Sequence, residues 1–234
     1  MAKNDPLSDS IGILESTKNY NRWIYDNIKN FIGQNVLEIG CGTGNITDFI
    51  LEKSSSVTGI EIDHTFACTA KKKYKNKKSV RIIQGDFLEL KNIRKNHYDT
   101  VITLNVLEHI KNDSLALSKM LASLKTGGTA VMLVPAMHFA YGALDKELGH
   151  FRRYEKSDML KLYAQNGFKP EKLFYMNFIG AFAWAFNSRL LGRKDFPQSQ
   201  PKLFDRFFVP VLKPLEALIP PPIGQSLIAV GKKL

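Results

Sequence analysis

Short apolar runs alternate with helical stretches along the chain, and this alternation constrains the fold most strongly. Runs rich in β-branched residues predict strands at 35–40, 56–62, 80–85, 98–105 and 128–135. The segments between these runs have the spacing of amphipathic helices. Regular alternation of this kind favours an α/β fold with a parallel sheet and helices on both faces. Ligands of such sheets bind beyond the carboxyl ends of the strands.

Further elements are expected on both sides of this core. Tyr20, Ile24, Ile28 and Phe31 lie at helical spacing and predict an amphipathic opening helix. Beyond the fifth strand, a helix that ends near Gly167 and two more strands are expected. We predict one domain over residues 1–234, divided into a helical cap (1–34), a core (35–177) that contains a strand at 171–178, an aromatic and basic helical insert over the substrate side (178–225) and a last strand (226–234).

The charge of the chain favours anionic partners without choosing among them. Lys and Arg number 33 against 22 acids, which gives a formal net charge of +11. The two cysteines provide no disulfide framework, as is usual in a reducing compartment. The first residues lack the layout of a secretory signal, and no apolar run has the ~18 residues that a membrane span needs. A cytoplasmic protein is expected.

The segment "VLEIGCGTGNIT" (36–47) joins the first predicted strand to a helix through a glycine loop. Gly40, Gly42 and Gly44 allow sharp turns and a close approach of the backbone to a ligand. The spacing is G-x-G-x-G and not the dinucleotide pattern G-x-G-x-x-G, which disfavours a nicotinamide dehydrogenase. Glu38, two residues before the first glycine, disfavours a pyrophosphate and suits a ligand with a positive amino group.

Two more acids follow predicted strands. Glu61 ends the second strand and can accept two hydrogen bonds from a ribose diol. Asp86 follows the third strand and can accept from an adenine amine, while Ile62 or Phe87 packs on the ring. An adenosine with a cationic amino-acid tail is S-adenosylmethionine (SAM). For each acid taken singly, the alternative is a solvated turn or a helix cap.

The segments "VLEIGCGTGNIT", "VTGIEID", "IIQGDF" and "YDTVITLNVLEHI" resemble the successive motifs of class I SAM-dependent methyltransferases. The resemblance is close over residues 18–135. It implies a Rossmann-like, seven-stranded, mostly parallel sheet with an antiparallel final strand. The family more often has Asp at the position of Glu61. The cofactor-binding residues that the resemblance implies are Glu38, Gly40, Cys41, Gly42, Gly44, Glu61, Ile62, Asp86, Phe87, Asn105 and Val106.

His109 and His150 are the candidate catalytic residues, because both follow strand ends where the transferred methyl group is expected. A histidine can accept a proton near neutral pH, as O-methylation requires. The alternative is a structural role for either histidine. His150 is favoured because its neighbours Arg152, Arg153 and Tyr154 can hold an anionic substrate group. Alternatively, these three residues cap a helix and pair with Asp158 or Glu155. Tyr20 is a further candidate substrate contact.

The segment "NVLEHI" resembles the quinone-biosynthesis methyltransferases, in which acids near this motif can bind a metal. Asn105 replaces one expected carboxylate and leaves Glu108 and His109. We therefore predict no metal. The run "LGHFRRY" resembles a bacterial subgroup of these enzymes.

The insert and the basic charge together suggest a small or lipid-linked, anionic substrate. Residues 178–194 are too short to span a bilayer but could lie in an interface, which allows peripheral membrane association. A cover over the substrate cleft is the favoured interpretation, and a dimer surface is a further alternative, so the chain is expected to be a monomer or a homodimer. The lysine-rich run 71–78 is interpreted as a solvated helix end.

Methyl transfer to an O (or N or C) atom is the predicted function. The rivals are an RNA methyltransferase, suggested by the basic charge, and a non-catalytic SAM-binding regulator. Nucleic acid is disfavoured because the fourth strand is followed by "LNVLEH" and not by the D/N-P-P-Y/F motif of base-amino methyltransferases.

Overall fold

The computed structural model describes residues 17–193 and 199–234 of the chain. Seven strands form one sheet in the order β3-β2-β1-β4-β5-β7-β6. Strands β1 to β5 pair in parallel, and β7 runs antiparallel to both of its neighbours. This confirms the predicted seven-stranded, mostly parallel sheet with an antiparallel final strand. The strands are β1 (Asn35–Ile39), β2 (Ser56–Glu61), β3 (Val80–Gln84), β4 (Tyr98–Leu104), β5 (Leu124–Pro135), β6 (Phe168–Met176) and β7 (Ser226–Lys233).

Helices connect and cover the strands. The α-helices are α1 (Lys18–Ile28), α2 (Thr47–Ile50), α3 (His64–Lys73), α4 (Asp113–Ser123), α5 (Ala143–Glu147), α6 (Lys156–Asn166), α7 (Phe178–Ala185), α8 (Ser199–Leu203) and α9 (Val209–Leu218). Short 3-10 helices occupy Lys29–Phe31, Leu107–His109 and His138–Ala140, and π-helical turns occupy Phe186–Leu190 and Phe204–Phe208. None of the helices in the described ranges has the length and apolar character needed to cross a bilayer.

Each face of the sheet has its own apolar core, because successive side chains of a strand point to opposite faces. On one face, Leu37 and Ile39 pack in a cluster with residues of α4 and α6. On the other face, Val36 packs in a cluster with residues of α1, α2 and α9. The last helix of the insert therefore forms part of the helical layer beside α1.

Element boundaries differ from the predictions mainly in β5 and β6. Strand β5 begins at Leu124, directly after α4 and four residues before the predicted start at Gly128. Strand β6 begins at Phe168, directly after the left-handed Gly167 that ends α6. The expected cap and insert fall partly outside the described residues, at 1–16 and 194–198.

The chain reverses its direction across the sheet between β1 and β4. Strands β2 and β3 follow on one side of β1, whereas β4 and β5 follow on the other. The loops after β1 and β4 therefore lie at the switch point of the sheet, where the crevice at the carboxyl edge is the usual ligand site of open α/β sheets.

Candidate active site

The glycine loop after β1 needs glycine for two separate reasons. Gly40, Gly42 and Gly44 have positive φ angles of +74°, +54° and +89°, which disfavour side chains. A Cβ atom on Gly40 would overlap the side chain of Val106, whereas a Cβ on Gly42 would meet open space. The loops after β1 and β4 are therefore in contact at Gly40 and Val106, and Gly42 borders the crevice.

Glu61 orders this loop from the end of β2. Its Oε2 accepts the N–H of Gly42 at 2.8 Å, and its Oε1 accepts the N–H of Asp63 at 2.9 Å. The side chain is buried, whereas that of the following Ile62 is 62% exposed. A buried carboxylate thus lies against the glycine loop with an open apolar side chain beside it.

Glu38 is buried below the loop. Its Oε2 accepts the hydroxyl proton of Thr47 at 2.6 Å. Burial raises the pKa of Glu38 to about 8. A ligand cation placed beside this carboxyl would favour its ionised form.

Tyr74 and Lys73, at the end of α3, hold the last glycine. The Tyr74 hydroxyl lies 2.8 Å from the carbonyl oxygen of Gly44 and 2.9 Å from Oδ1 of Asp48. Lys73 Nζ donates to the same carbonyl at 2.9 Å. Both residues lie in the lysine-rich run that the sequence presents as a solvated helix end. That interpretation fits the exposed lysines of the run but missed Tyr74, and the single aromatic residue among the lysines was the available signal.

The loop after β3 places the two predicted adenine contacts differently. Asp86 Oδ1 accepts the N–H of Leu88 at 2.7 Å and remains half-buried. Phe87 is buried in the core, with Lys119 Nζ 5.6 Å from the centre of its ring. Of the two apolar side chains proposed for the adenine ring, Ile62 is therefore the open one.

Cys41 and Asn105 have structural positions at the edge of the crevice. Cys41 is buried, and a Cβ atom on Gly59 would lie 2.8 Å from its Sγ atom. Burial raises the pKa of this thiol, so Cys41 is a packed loop residue and a poor nucleophile. Asn105 has a positive φ of +54° and donates its N–H to the Leu133 carbonyl at 2.8 Å. This turn directs the chain into the 3-10 helix that carries His109.

His109 and His150 lie together at this edge, as the sequence suggested. Their rings are 4.8 Å apart between centroids and almost perpendicular. Nδ1 of His150 lies 3.0 Å from Oδ1 of Asp145, and its Nε2 lies 4.0 Å from Oε1 of Glu108. Burial and the adjacent His150 lower the pKa of His109 to about 4. His109 is therefore neutral at pH 7.

Asp145, which sequence analysis missed, connects His150 to the rest of the site. It is fully buried and accepts from Arg153 Nε at 2.8 Å, Trp184 Nε1 at 3.1 Å and the N–H of Gly142 at 3.0 Å. Burial alone would raise the pKa of Asp145, but the hydrogen bond to His150 and the charge of Arg153 lower it. An ionised Asp145 favours the proton on Nδ1 of His150 and leaves Nε2 as an acceptor.

Glu108, His109 and His150 can also hold a metal. Each offers one ligand atom, and these atoms lie within 4.8 Å of one another. Both carboxyl oxygens of Glu108 are buried without a hydrogen-bond partner, and burial raises the pKa of this group to about 8. Two imidazoles with one carboxylate suit a divalent transition metal. Sequence analysis judged Glu108 and His109 insufficient for a metal site and did not consider His150 as a third ligand. The absence of a metal stays a prediction.

The predicted anion-binding residues have other partners in the structure. Arg152 Nη1 donates to Asp113 Oδ2 at 2.6 Å, and the buried Tyr154 hydroxyl donates to the same oxygen at 3.0 Å. Arg153 is buried against Asp145. The geometry favours the structural alternative, with Asp113 and Asp145 as partners in place of Asp158 and Glu155. An anion-binding role for the three residues stays a prediction.

Tyr20 brings α1 to the same edge of the sheet. Its hydroxyl lies 3.4 Å from Oγ of Ser226, which pairs with Pro135 at the carboxyl end of β5. Burial raises the pKa of Tyr20, so its hydroxyl is protonated. Asp205 of the insert fixes this end of α1 by accepting the N–H groups of Asn19 and Tyr20.

Comparisons with known proteins agree with this geometry. Residues 37–132 match the family model described as a methyltransferase domain. An uncharacterized methyltransferase of Bacillus cereus is 34% identical over 110 residues, which are 46% of this chain and 50% of the relative. Ribosomal RNA small subunit methyltransferase A of Mesomycoplasma hyopneumoniae is 53% identical over 53 residues, or 23% of this chain and 20% of the relative. The chain thus matches half or less of the length of these curated relatives.

A solved structure extends the likeness to the whole fold. The geranyl diphosphate C-methyltransferase of Streptomyces coelicolor, in complex with Mg²⁺, geranyl diphosphate and S-adenosylhomocysteine, has a TM-score of 0.64 at 13% identity. The match covers 90% of this chain and 76% of that one. The resemblance to the quinone-biosynthesis subgroup stays a prediction. The sheet order and the motifs in register agree with the fold of the class I SAM-dependent methyltransferases, and the matched methyltransferase domain covers residues 37–132.

Proposed function

We propose that this protein binds SAM and transfers its methyl group to an O (or N or C) atom of a small or lipid-like acceptor. The observation that carries the proposal is the 2.8 Å hydrogen bond from the Gly42 N–H to Glu61. It places a buried carboxylate beside a glycine loop whose second glycine faces open space. A ribose diol bound to that carboxylate would lie against the loop, with Ile62 beside the adenine.

The rest of the donor site is argued from charge. Glu38 lies below the loop, where the amino group of SAM is expected, and ionisation of this buried carboxyl would compensate the ligand's positive charge. Asp86 remains half-buried at the end of β3, at the same edge as Glu61. Its second oxygen suits an adenine amine.

When bound, SAM supplies an electrophilic methyl group, and the carbon–sulfur electron pair stays on sulfur to give S-adenosylhomocysteine. The crevice aligns the acceptor with that methyl group, and alignment supplies most of the rate. For a hydroxyl acceptor, Nε2 of His150 takes the proton as the new oxygen–carbon bond forms. Asp145 keeps the Nδ1 proton of His150 in place, so that Nε2 presents its lone pair.

A second assignment for the same side chains follows from the position of Glu108. Its two unpartnered oxygens, together with His109 and His150, fit a divalent cation. Such a cation would bind the acceptor, and His150 would then be a metal ligand and not a general base. The two assignments make opposite predictions for chelation. Turnover that survives dialysis against EDTA supports the base, whereas turnover lost and then restored by Mg²⁺ or Zn²⁺ replaces the base with a metal.

Two other functions remain as rivals. The similarity to an rRNA methyltransferase favours RNA as the acceptor, but it covers only 53 residues. A non-catalytic SAM-binding regulator would retain the donor site but would need no polar cluster at His150. The buried Asp145–His150 pair favours a catalyst.

The proposal is tested with SAM labelled in its methyl group. Purified protein is incubated separately with a bacterial lipid extract, water-soluble metabolites and total RNA, and a Gly42→Ala variant serves as the background. We expect label to appear in the lipid or metabolite fraction only with the wild-type protein. Label in RNA alone would contradict the acceptor class, and saturable SAM binding with no label in any fraction would contradict catalysis.

A further inference from the structure

The insert exposes two apolar stripes. In the first, Phe178, Phe182, Phe186 and Leu190 follow at intervals of four residues through α7 and the π-helical turn after it, and all four are exposed. Residues four apart lie on one face of a helix. An open cavity of about 420 Å³ lies along this stripe, with Ala185 and Arg189 in its lining.

The second stripe runs from α8 to α9. Leu203, Phe207, Val211, Leu215 and Leu218 are all exposed and follow at intervals of three or four residues. The opposite side of the same helical segment carries Val209 and Leu212, which are buried against α1 and the sheet. This segment is therefore apolar on its exposed side as well as on its packed side. A helix whose outer face is solvated usually carries polar residues on that face.

Glu216 connects the two helical stretches of the insert. Its carboxylate oxygens accept the N–H groups of Asn177 and Phe178 at 2.8 Å each. The beginning of α7 thus lies against the end of α9. We call the two stripes together the insert surface.

The exposed charges that the described residues of the insert itself carry have one sign. Arg189, Arg193, Lys202 and Arg206 are exposed beside its apolar residues. Within described residues 178–193 and 199–219, the acids are Asp205 and Glu216, and both are engaged with backbone N–H groups elsewhere in the protein. Outside the insert, the exposed Glu147 lies near Arg189. Apolar side chains flanked by cations of the same segment match a bilayer that has anionic headgroups.

We propose that the insert surface docks on an anionic lipid bilayer. The apolar stripes enter the boundary between headgroups and acyl chains, and the four cations contact the headgroups. Docking is coupled to the crevice, because Trp184 donates to Asp145 and Asp205 holds the end of α1 that carries Tyr20. An acceptor dissolved in the bilayer would reach the crevice from this side. Docking itself does not depend on methyl transfer, so it can fail or succeed independently of the proposed function.

The test is flotation of the full chain with vesicles of phosphatidylcholine, with and without phosphatidylglycerol. Leu190, Phe207 and Leu218, which are 74%, 59% and 82% exposed, are changed together to serine. The matched control changes Leu115, Leu160 and Leu234, which are exposed elsewhere, to serine. We expect the wild type and the control to float with anionic vesicles, and the insert variant to lose about tenfold or more of its partitioning.

Two double charge-reversal variants measure the electrostatic contribution to vesicle binding. Lys202→Glu with Arg206→Glu should weaken flotation on anionic vesicles, whereas Lys71→Glu with Lys72→Glu on α3 should weaken it less. Failure of the wild type to float, equal flotation on neutral vesicles, or equal loss in insert and control variants would overturn the proposal. A dimer in solution that the serine variant converts to a monomer would also overturn it, because a second copy would then cover this surface.

Discussion

The hydroxyl of Tyr74 lies 2.8 Å from the carbonyl oxygen of Gly44, thirty residues earlier in the chain. This contact fixes the last glycine of the loop to the end of α3. A Cβ atom on Gly44 would lie 2.6 Å from the Tyr74 ring, so the tyrosine also fills the space that a side chain would need. The shape of the glycine loop thus depends on a buried aromatic residue at the end of α3.

Tyr74→Phe removes the hydroxyl proton that Gly44 and Asp48 share. We expect the free energy of unfolding to fall by about 1–2 kcal/mol, since one acceptor is charged. If about 1 kcal/mol of this lost free energy had kept the glycine loop in its binding conformation, the affinity for SAM falls by about fivefold. Urea unfolding and calorimetry measure the two effects.

Tyr163→Phe is the matched control. The Tyr163 hydroxyl is buried without a hydrogen-bond partner, so its removal relieves a desolvation cost. We expect unchanged stability or a gain of about 1 kcal/mol, with unchanged SAM affinity. Equal destabilisation by the two substitutions would show that the Tyr74 hydroxyl has no special role at Gly44.

Glu61→Gln tests the carboxylate at the end of β2. The amide keeps one oxygen but presents an NH₂ group to the second N–H donor, and its neutral oxygen binds a diol less strongly. We expect the dissociation constant for SAM to rise about tenfold or more, because hydrogen bonds to charged groups are the stronger ones.

The control for Glu61→Gln is Glu52→Gln. Glu52 forms an exposed ion pair with Arg22 at 2.9 Å, and such pairs contribute little. Its substitution should leave SAM affinity unchanged. If Glu61→Gln binds SAM as well as Glu52→Gln does, Glu61 is not the ribose contact.

The Asp145–His150 pair predicts a defect in turnover without a defect in SAM binding. Asp145→Asn would let His150 carry its proton on Nε2, and we expect turnover to fall about a hundredfold or more. Trp184→Phe removes the indole N–H that reaches Asp145 but keeps a smaller aromatic ring beside Arg153, and should retain most activity. The assay uses the acceptor fraction that receives label from the wild type.

Rescue distinguishes a base from a structural residue. Added imidazole should restore part of the turnover of His150→Gly, because a free base can occupy the vacated space. Full turnover in both His150→Ala and His109→Ala would instead leave alignment alone as the source of the rate.

Glu38 predicts a pH dependence of stability. Its pKa is about 8 in the folded chain and near 4.5 when unfolded, so the folded chain binds the extra proton between these values. The contribution of the protonated Glu38 to the free energy of unfolding is complete below pH 4.5 and is lost as the pH rises towards 8. Glu38→Gln carries no such proton and should gain stability relative to the wild type over this range. Urea unfolding at pH 5, 6, 7 and 8 measures the difference, and parallel curves would contradict the buried position.

Local features of the fold were predictable because they depend on neighbouring residues. The alternating runs predicted the five strands β1 to β5, two further strands were expected after the helix that ends near Gly167, and the glycine spacing predicted the loop that Gly40, Gly42 and Gly44 form. Strand β5 began earlier than expected because Leu124 already pairs with Tyr98 of β4, ahead of an irregular stretch that contains Gly127 and Gly128. Glycine is unfavourable in strands, so the sequence did not indicate this extension.

Contacts between distant segments were not predictable in the same way. Asp145 lies in a short helix with no motif of its own, and its role depends on His150, Arg153 and Trp184 meeting around it. The sequence suggested the nearby acids Asp158 and Glu155 as partners of Arg152 and Arg153. The partners are Asp113 and Asp145, which only the packing of the folded chain determines. Charge and burial of a side chain depend on the whole fold, whereas periodicity does not.

Calorimetric titration of SAM into Gly42→Ala and Gly127→Ala tests the central claim most directly. Both glycines have positive φ angles, +54° and +77°, and a Cβ atom on either meets open space, so the backbone strain of about 1–2 kcal/mol is matched. Gly127 lies in β5, away from the loop after β1. We predict saturable SAM binding in the wild type and in Gly127→Ala, and its loss in Gly42→Ala. Equal SAM binding by both variants would contradict the placement of the methyl donor on the glycine loop.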